Sequence, residues 1–237
     1  MRVLMPQPGA RRHPAFDLSA PTGDKIAMQA QVATQIGPIL PVLDLFGIAV
    51  FAATGALSAT RRAQTFVTAA FFALITGVGG GTVRDLLIGA PVFWVHDATV
   101  AALILGVALA VWFTPQRWWS DKTFDWLDAL GLAAYAAFGA AKSLGYGIPP
   151  VPAALMGVLT ACLGGIIRDV LVGEPSILMR PELYVTAAAL ASSIYVGLSL
   201  AGLTPLAAGL IAAAAGFALR AAAIVWKLGL PAYRGAR

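Results

Sequence analysis

The chain has 237 residues, of which 59% are hydrophobic and only 11% charged, with a mean hydropathy of +0.81 and a net charge of +5. A soluble domain carries about 25% charged residues, so this composition excludes a water-soluble fold and leaves one integral membrane domain. The basic excess is read as loop charge that sets orientation in a bilayer rather than as a nucleic-acid surface.

Residues 1–37 form a tail with scattered prolines and charges and no continuous apolar stretch of the kind a cleaved leader needs. Met28 is a plausible second start within it. The membrane domain then occupies 38–230, followed by a short tail at 231–237.

A bilayer-crossing helix needs about 20 apolar residues, and its backbone groups must be satisfied within the segment. Seven segments meet that description: 43–60, 64–88, 97–114, 126–143, 152–173, 183–201 and 205–227. They are separated by "RRAQ", "GAPVFWVHD", "PQRWWSDKTFD", "GYGIPPVP", "GEPSILMRPE" and "GLTP", where Gly, Pro and charge punctuate the pattern. Strands do not fit, because the apolar runs are long and lack alternation. The predicted fold is therefore an all-α integral membrane protein of seven transmembrane helices.

The loops on one face, with the C-terminus, carry Arg61, Arg62, Arg117, Lys122, Arg180, Lys227, Arg234 and Arg237, against Lys142 and the distant Lys25 on the other. Because Lys and Arg flanking helices stay in the cytoplasm, the expectation is an inner-membrane protein with its N-terminus outside and its C-terminus cytoplasmic. The single cysteine, Cys162, allows no internal disulfide.

Shifted by 84 residues, the chain matches itself without gaps. "LDLFGIAVFAATGA" (43–56) lies over "LDALGLAAYAAFGA" (127–140), and "TGVGGGTVRDLLIGAP" (76–91) over "TACLGGIIRDVLVGEP" (160–175). The repeats are 43–114 and 126–201, with helix 7 (205–227) left over. Three helices per repeat is an odd number, so the second copy enters from the opposite face, an inverted repeat.

Gly79, Gly80 and Gly81 in helix 2, with Gly164 and Gly165 in helix 5, sit part-way along their spans. Two readings follow: a helix break beside a pore, where freed carbonyls meet ions, or close helix packing. A break or kink is the expectation for the doubled pairs. Ser58, Thr76 and Thr160 are the polar side chains nearest such a path.

Arg84 and Asp85 are neighbours and on a helix point about 100° apart, so each is expected to pair elsewhere. The duplication offers one pair twice, Asp44 with Arg84 and Asp128 with Arg168, each 40 residues apart. These pairs serve either a pathway or simple helix attachment. Asp85 and Asp169 are candidates for electronegative pore mouths. Lys142, whose counterpart is Ser58, is read as an outer-end snorkel or a gating residue. Arg220, late in helix 7, is read as a snorkel or a contact between subunits. No Ser-His-Asp set, H-E-x-x-H or phosphate loop is present, so the chain is not expected to be an enzyme. No fixed metal or cofactor is expected either.

At the paired "GGGTVRD" and "GGIIRD" segments the sequence resembles the prokaryotic trimeric intracellular cation channel family, whose domain is also labelled a glycine transporter. The resemblance covers about 38–228. It implies a homotrimer in membrane lipid with an hourglass pore in each subunit, lined by helices 1, 2, 4 and 5. The implied permeant ions are potassium, mainly, and sodium. The rival reading is a secondary transporter of glycine or another small solute, since inverted repeats serve alternating access equally well. A non-transporting membrane scaffold needs only the packing reading of the glycines.

Overall fold

A computed structural model describes residues 40–179 and 181–231. The expected N-terminal tail, Met28, Arg180 and all but the first residue of the C-terminal tail lie outside the described residues.

Seven α-helices follow in order: α1 (Leu40–Thr60), α2 (Phe66–Leu87), α3 (Ala98–Phe113), α4 (Asp121–Gly145), α5 (Pro150–Val172), α6 (Val185–Leu200) and α7 (Pro205–Trp226). The starts obey local chemistry. Thr65, Asp97, Ser120 and Thr204 each place a side-chain oxygen on a free N–H of the first turn, satisfying donors that a helix start leaves without partners. Pro150 and Pro205 occupy first-turn positions where their missing N–H costs nothing. α4 begins at Asp121, five residues before the expected 126, because Ser120 caps it there. At the other ends of α2 and α5, Gly89 and Gly173 turn the chain with φ of 68° and 76°, a region costly for side-chain-bearing residues.

By length and composition, α2, α5 and α7 can each cross a membrane; α3, α6 and the Asp44–Thr60 part of α1 are shorter apolar helices. α4 is long but carries Asp121, Lys122, Asp125, Asp128 and Lys142. It is also the most enclosed, with a continuous buried run from Leu132 to Ser143. Large apolar side chains outside the core, such as Phe71, Leu105, Phe113 and Leu155, face outward, as expected where lipid is the solvent.

The packing recurs with the 84-residue offset. α1 lies on α2, α3 and α4; α4 lies on α5, α6 and α1; α2 crosses α5. Phe51 and Tyr135, which are 84 apart, stack with ring centroids 5.3 Å apart. A Cβ at Gly47 would strike the Tyr135 ring at 2.7 Å, and one at Gly131 the Phe51 ring at 3.0 Å. α7 adds to this pair of triplets by packing on α4 and α6.

Of the expected break or kink, no break is seen. Helical structure runs through Gly79–Gly81 and through Gly164–Gly165 without interruption. What the glycines supply is contact: a Cβ on Gly80 would overlap the Thr160 carbonyl oxygen, and one on Gly164 the Thr76 carbonyl oxygen. Missing side chains let backbone meet backbone while each helix keeps its own hydrogen bonds, the small-residue logic of membrane helix packing.

Candidate functional site

Two charged clusters stand at opposite ends of the α2–α5 crossing. In the first, Arg84 Nε and Nη2 donate to Asp85 Oδ1 at 2.9 and 2.8 Å, both side chains fully buried. This corrects the expectation that neighbours cannot pair. The 100° argument concerns Cα directions, whereas the long arginine side chain folds back around its own backbone. Asp85 Oδ2 accepts the Phe93 N–H at 3.2 Å and the Lys142 ammonium at 2.9 Å. Lys142 is therefore a buried cross-bundle partner of α2 rather than a snorkel. The expected Asp44–Arg84 pair does not form among the described residues, although Asp44 lies within electrostatic reach of Arg84, Lys142 and Asp85. Arg84 stacks over Phe138 at 5.1 Å, and Lys142 lies over Phe93 at 5.5 Å, contacts that favour a cation.

In the second cluster the equivalent atoms are engaged. Arg168 Nε and Nη2 donate to Asp169 Oδ1 at 3.0 and 2.8 Å, and Asp169 Oδ2 accepts the Ile177 N–H at 3.0 Å. Phe93 and Ile177 are again 84 apart. Here the 40-residue pair does form: Arg168 Nη1 donates to Asp128 Oδ1 at 3.0 Å and to Thr54 Oγ1 at 3.1 Å. Phe124 lies against the same guanidinium.

The second cluster opens into a cavity of about 500 Å³ between the α1–α2 loop, the start of α4, the end of α5 and α7. Its wall includes Ser58, Asp128, Arg168 and Asp169, with Arg61, Arg62, Asp121, Asp125 and Glu174 nearer the mouth. At that mouth Arg61 pairs with Asp121 at 3.2 Å and Arg62 with Glu174 at 3.0 Å. Arg220 also lines it, donating to Glu182 at 2.7 Å while its guanidinium covers Tyr184. This ion pair fastens α7 to the α5–α6 loop within the chain, so Arg220 is not a snorkel.

Phe51 of α1 and Tyr135 of α4 stack on each other, and Tyr135 Oη donates to the Gly77 carbonyl at 2.7 Å. Thr76 and Thr160 sit at the crossing. Thr160 Oγ1 donates to Met156 O at 2.6 Å, whereas Thr76 Oγ1 is buried with no partner among the described residues. A Cβ at Gly81 would meet the Phe93 ring at 2.8 Å, and one at Gly165 the Tyr184 hydroxyl at 3.1 Å. The aromatic pair and Thr54 escaped the charge-based reading, although Phe51 over Tyr135 was present in the self-match.

A helical bundle with apolar outer faces and buried charge at both ends of a central crossing defines a multi-pass membrane protein. The chain matches the family model described as glycine transporter over residues 41–116 and 125–199. It is 35% identical over 201 residues to a UPF0126 membrane protein of Vibrio cholerae, covering 82% of this chain and 83% of the relative. The UPF0126 inner membrane protein YadS of Escherichia coli (strain K12) is likewise 35% identical, over 81% of this chain and 94% of its own. Among solved structures, the TRIC trimeric intracellular cation channel orthologue from Rhodobacter sphaeroides matches with a TM-score of 0.74 at 40% identity, over 80% of this chain and 99% of that one. A prokaryotic TRIC channel crystallised in 0.5 M KCl gives a TM-score of 0.73 at 28% identity, over 81% and 98%. The chain belongs to the prokaryotic trimeric intracellular cation channel family, which the glycine transporter model and the UPF0126 proteins also describe.

Proposed function

We propose that this protein is a potassium-permeable channel for monovalent cations, a homotrimer of the inner membrane with an ion path inside each subunit. The observation that carries the reading is a line of polar and charged side chains along the inside of an otherwise apolar bundle. It runs from the cavity past Ser58, Asp128 and Asp169 to the α2–α5 crossing, and on to Asp85 and Lys142. Charge inside a membrane helix bundle costs a few kcal/mol per group and so marks a pathway. The solved relatives named as cation channels support the same reading.

We read the 84-residue recurrence as an inverted duplication, with the N-terminus outside and the cavity facing the cytoplasm. Arg61, Arg62, Arg117 and Lys122 crowd that end, in keeping with retention of positive loops inside. The conformation is closed: Phe51 and Tyr135 fill the middle, and Lys142 with Asp85 latches the outer end. Opening separates the aromatic pair and frees the latch, exposing Thr76 and Thr160 to the ion. Arg84 and Arg168 hold the pore wall and do not bind the cation.

Single-channel recording of the purified trimer in planar bilayers, under opposed potassium and sodium gradients, tests this. Discrete currents reversing near the potassium equilibrium potential are expected, with open probability raised by Tyr135→Ala. A cavity closed at one end also suits alternating access. Saturable, gradient-driven glycine uptake without unitary currents would replace the channel with a transporter.

A further inference from the structure

The loops that launch α3 and α6 share the 84-residue register but are fastened differently. Each gives one backbone N–H to the aspartate near the end of the preceding helix, Phe93 to Asp85 and Ile177 to Asp169. In the first repeat the remaining fastening is local: Trp94 Nε1 donates to Thr82 Oγ1 at 3.0 Å, and Asp97 caps α3 by accepting the Thr99 N–H at 2.8 Å. In the second repeat neither recurs. Leu178 and Ile166 stand where Trp94 and Thr82 would, Pro181 stands where Asp97 would, and α6 starts without a side-chain cap among the described residues.

That loop is held instead by α7 and the residues just beyond it. Arg220 donates to Glu182 at 2.7 Å, the Leu230 N–H donates to the Pro181 carbonyl at 2.7 Å, and Gly229 makes an isolated antiparallel bridge with Glu182. A Cβ on Gly229 would meet the Pro181 carbonyl oxygen at 2.6 Å, so the two backbones are in direct contact. The chain reaches this position through Lys227, which turns it with φ of 51° and ψ of 42°. This left-handed conformation is costly for a residue with a side chain and persists only where surrounding contacts fix it. The same loop supplies Glu174 and Ile177 to the cavity wall, and Glu174 closes on Arg62 at the mouth.

We propose that residues 227–230 are a releasable strap: docked on Pro181 and Glu182 they hold the α5–α6 loop against the cavity, and undocked they let that loop withdraw and the mouth widen. Release is separable from unfolding, because the strap contacts lie outside the hydrogen-bond ladder of every helix, and the strain at Lys227 relaxes as they part. Arg220 then holds the loop by one ion pair, whose Glu182 side chain is 37% exposed and can regain water. The strap rests on the channel reading for its role as a control on the ion path, but its position is measurable without current.

Ser58→Cys places a thiol on the α1 wall of the cavity, and Cys162→Ala removes the buried native one. The probe is a cationic methanethiosulfonate reagent added to this double variant in lipid nanodiscs, and the readout is the rate at which the introduced thiol is modified. Gly229→Ala, which drives the strap off Pro181, should raise the rate about tenfold or more. Lys227→Gly, which removes the strain and leaves the backbone contacts in place, should lower it about threefold. Lys227→Ala, which removes the charge but keeps the strain, should leave it near the starting value. Equal rates with and without Lys227→Gly overturn the strap even where Gly229→Ala does not fold, and so does a Lys227→Ala rate as low as that of Lys227→Gly. The expected shifts without unitary potassium currents keep the strap and remove the channel, whereas currents with unchanged rates do the reverse.

Discussion

Replacing Gly80 by alanine adds one methyl group at the closest approach of α2 and α5. That methyl would overlap the Thr160 carbonyl oxygen, a backbone atom held in its own helix, so no rotamer change can relieve it. The helices must separate, and overpacking of this kind costs about 1–3 kcal/mol. Against it stands the helix preference of alanine over glycine, about 0.8–1 kcal/mol in an aqueous host. The net is a loss of about 0–2 kcal/mol from these two terms. One residue earlier the balance reverses: a Cβ on Gly79 meets only Ile167 Cδ1 at 3.2 Å, the end of a flexible side chain. Gly79→Ala should therefore be neutral or stabilising by up to about 1 kcal/mol. Gly164→Ala strikes Thr76 at the same crossing. Once the first methyl has separated the helices the second costs less, so the double variant should lose less than the sum of the singles. Melting of the detergent-solubilised trimer, followed by size exclusion after heating, measures all four. Equal stability of Gly79→Ala and Gly80→Ala would refute the packing account and return the glycines to the role of a flexible break.

Lys142→Met removes the ammonium from Asp85 but leaves Arg84 and the Phe93 N–H in place. The cost should thus be about 1–3 kcal/mol rather than that of an isolated buried charge, and bilayer recordings should show longer openings. Asp169→Asn weakens the acceptor for the Ile177 N–H, and amide hydrogen exchange should rise locally at Ile177. Arg220→Met cuts the 2.7 Å pair with Glu182, whose side chain is 37% exposed and can regain water; about 1–2 kcal/mol is expected in thermal melting. Arg62→Ala, at a pair whose side chains are both 50% exposed, should stay within about 0.5 kcal/mol of the native protein.

Helix number, order and most boundaries were legible in the sequence, because apolar length and Gly/Pro punctuation are local properties. So was the Asp128–Arg168 pair, fixed by duplication at a spacing that two adjacent helices share. The other half departed from its copy for a reason that spacing does not carry. Lys142 reaches from the second repeat into the first, across 57 residues of sequence, and has no counterpart at Ser58 to flag it. The glycine pairs were ambiguous in principle, since the missing side chain that permits unwinding also permits a neighbouring backbone to approach. Only the position of the Thr76 and Thr160 carbonyls separates the two. The Phe51–Tyr135 stack was hidden among apolar residues that look interchangeable until their rings face each other.

Asp85 and Asp169 each hold a guanidinium with one oxygen and the turn that launches the next helix with the other. Each carboxylate therefore works as a tether between a charge inside the bundle and an outer helix, α3 or α6. The position of each arginine and the lead-in to the next helix are thus held by the same carboxylate, so a substitution at Asp85 or Asp169 should disturb both at once.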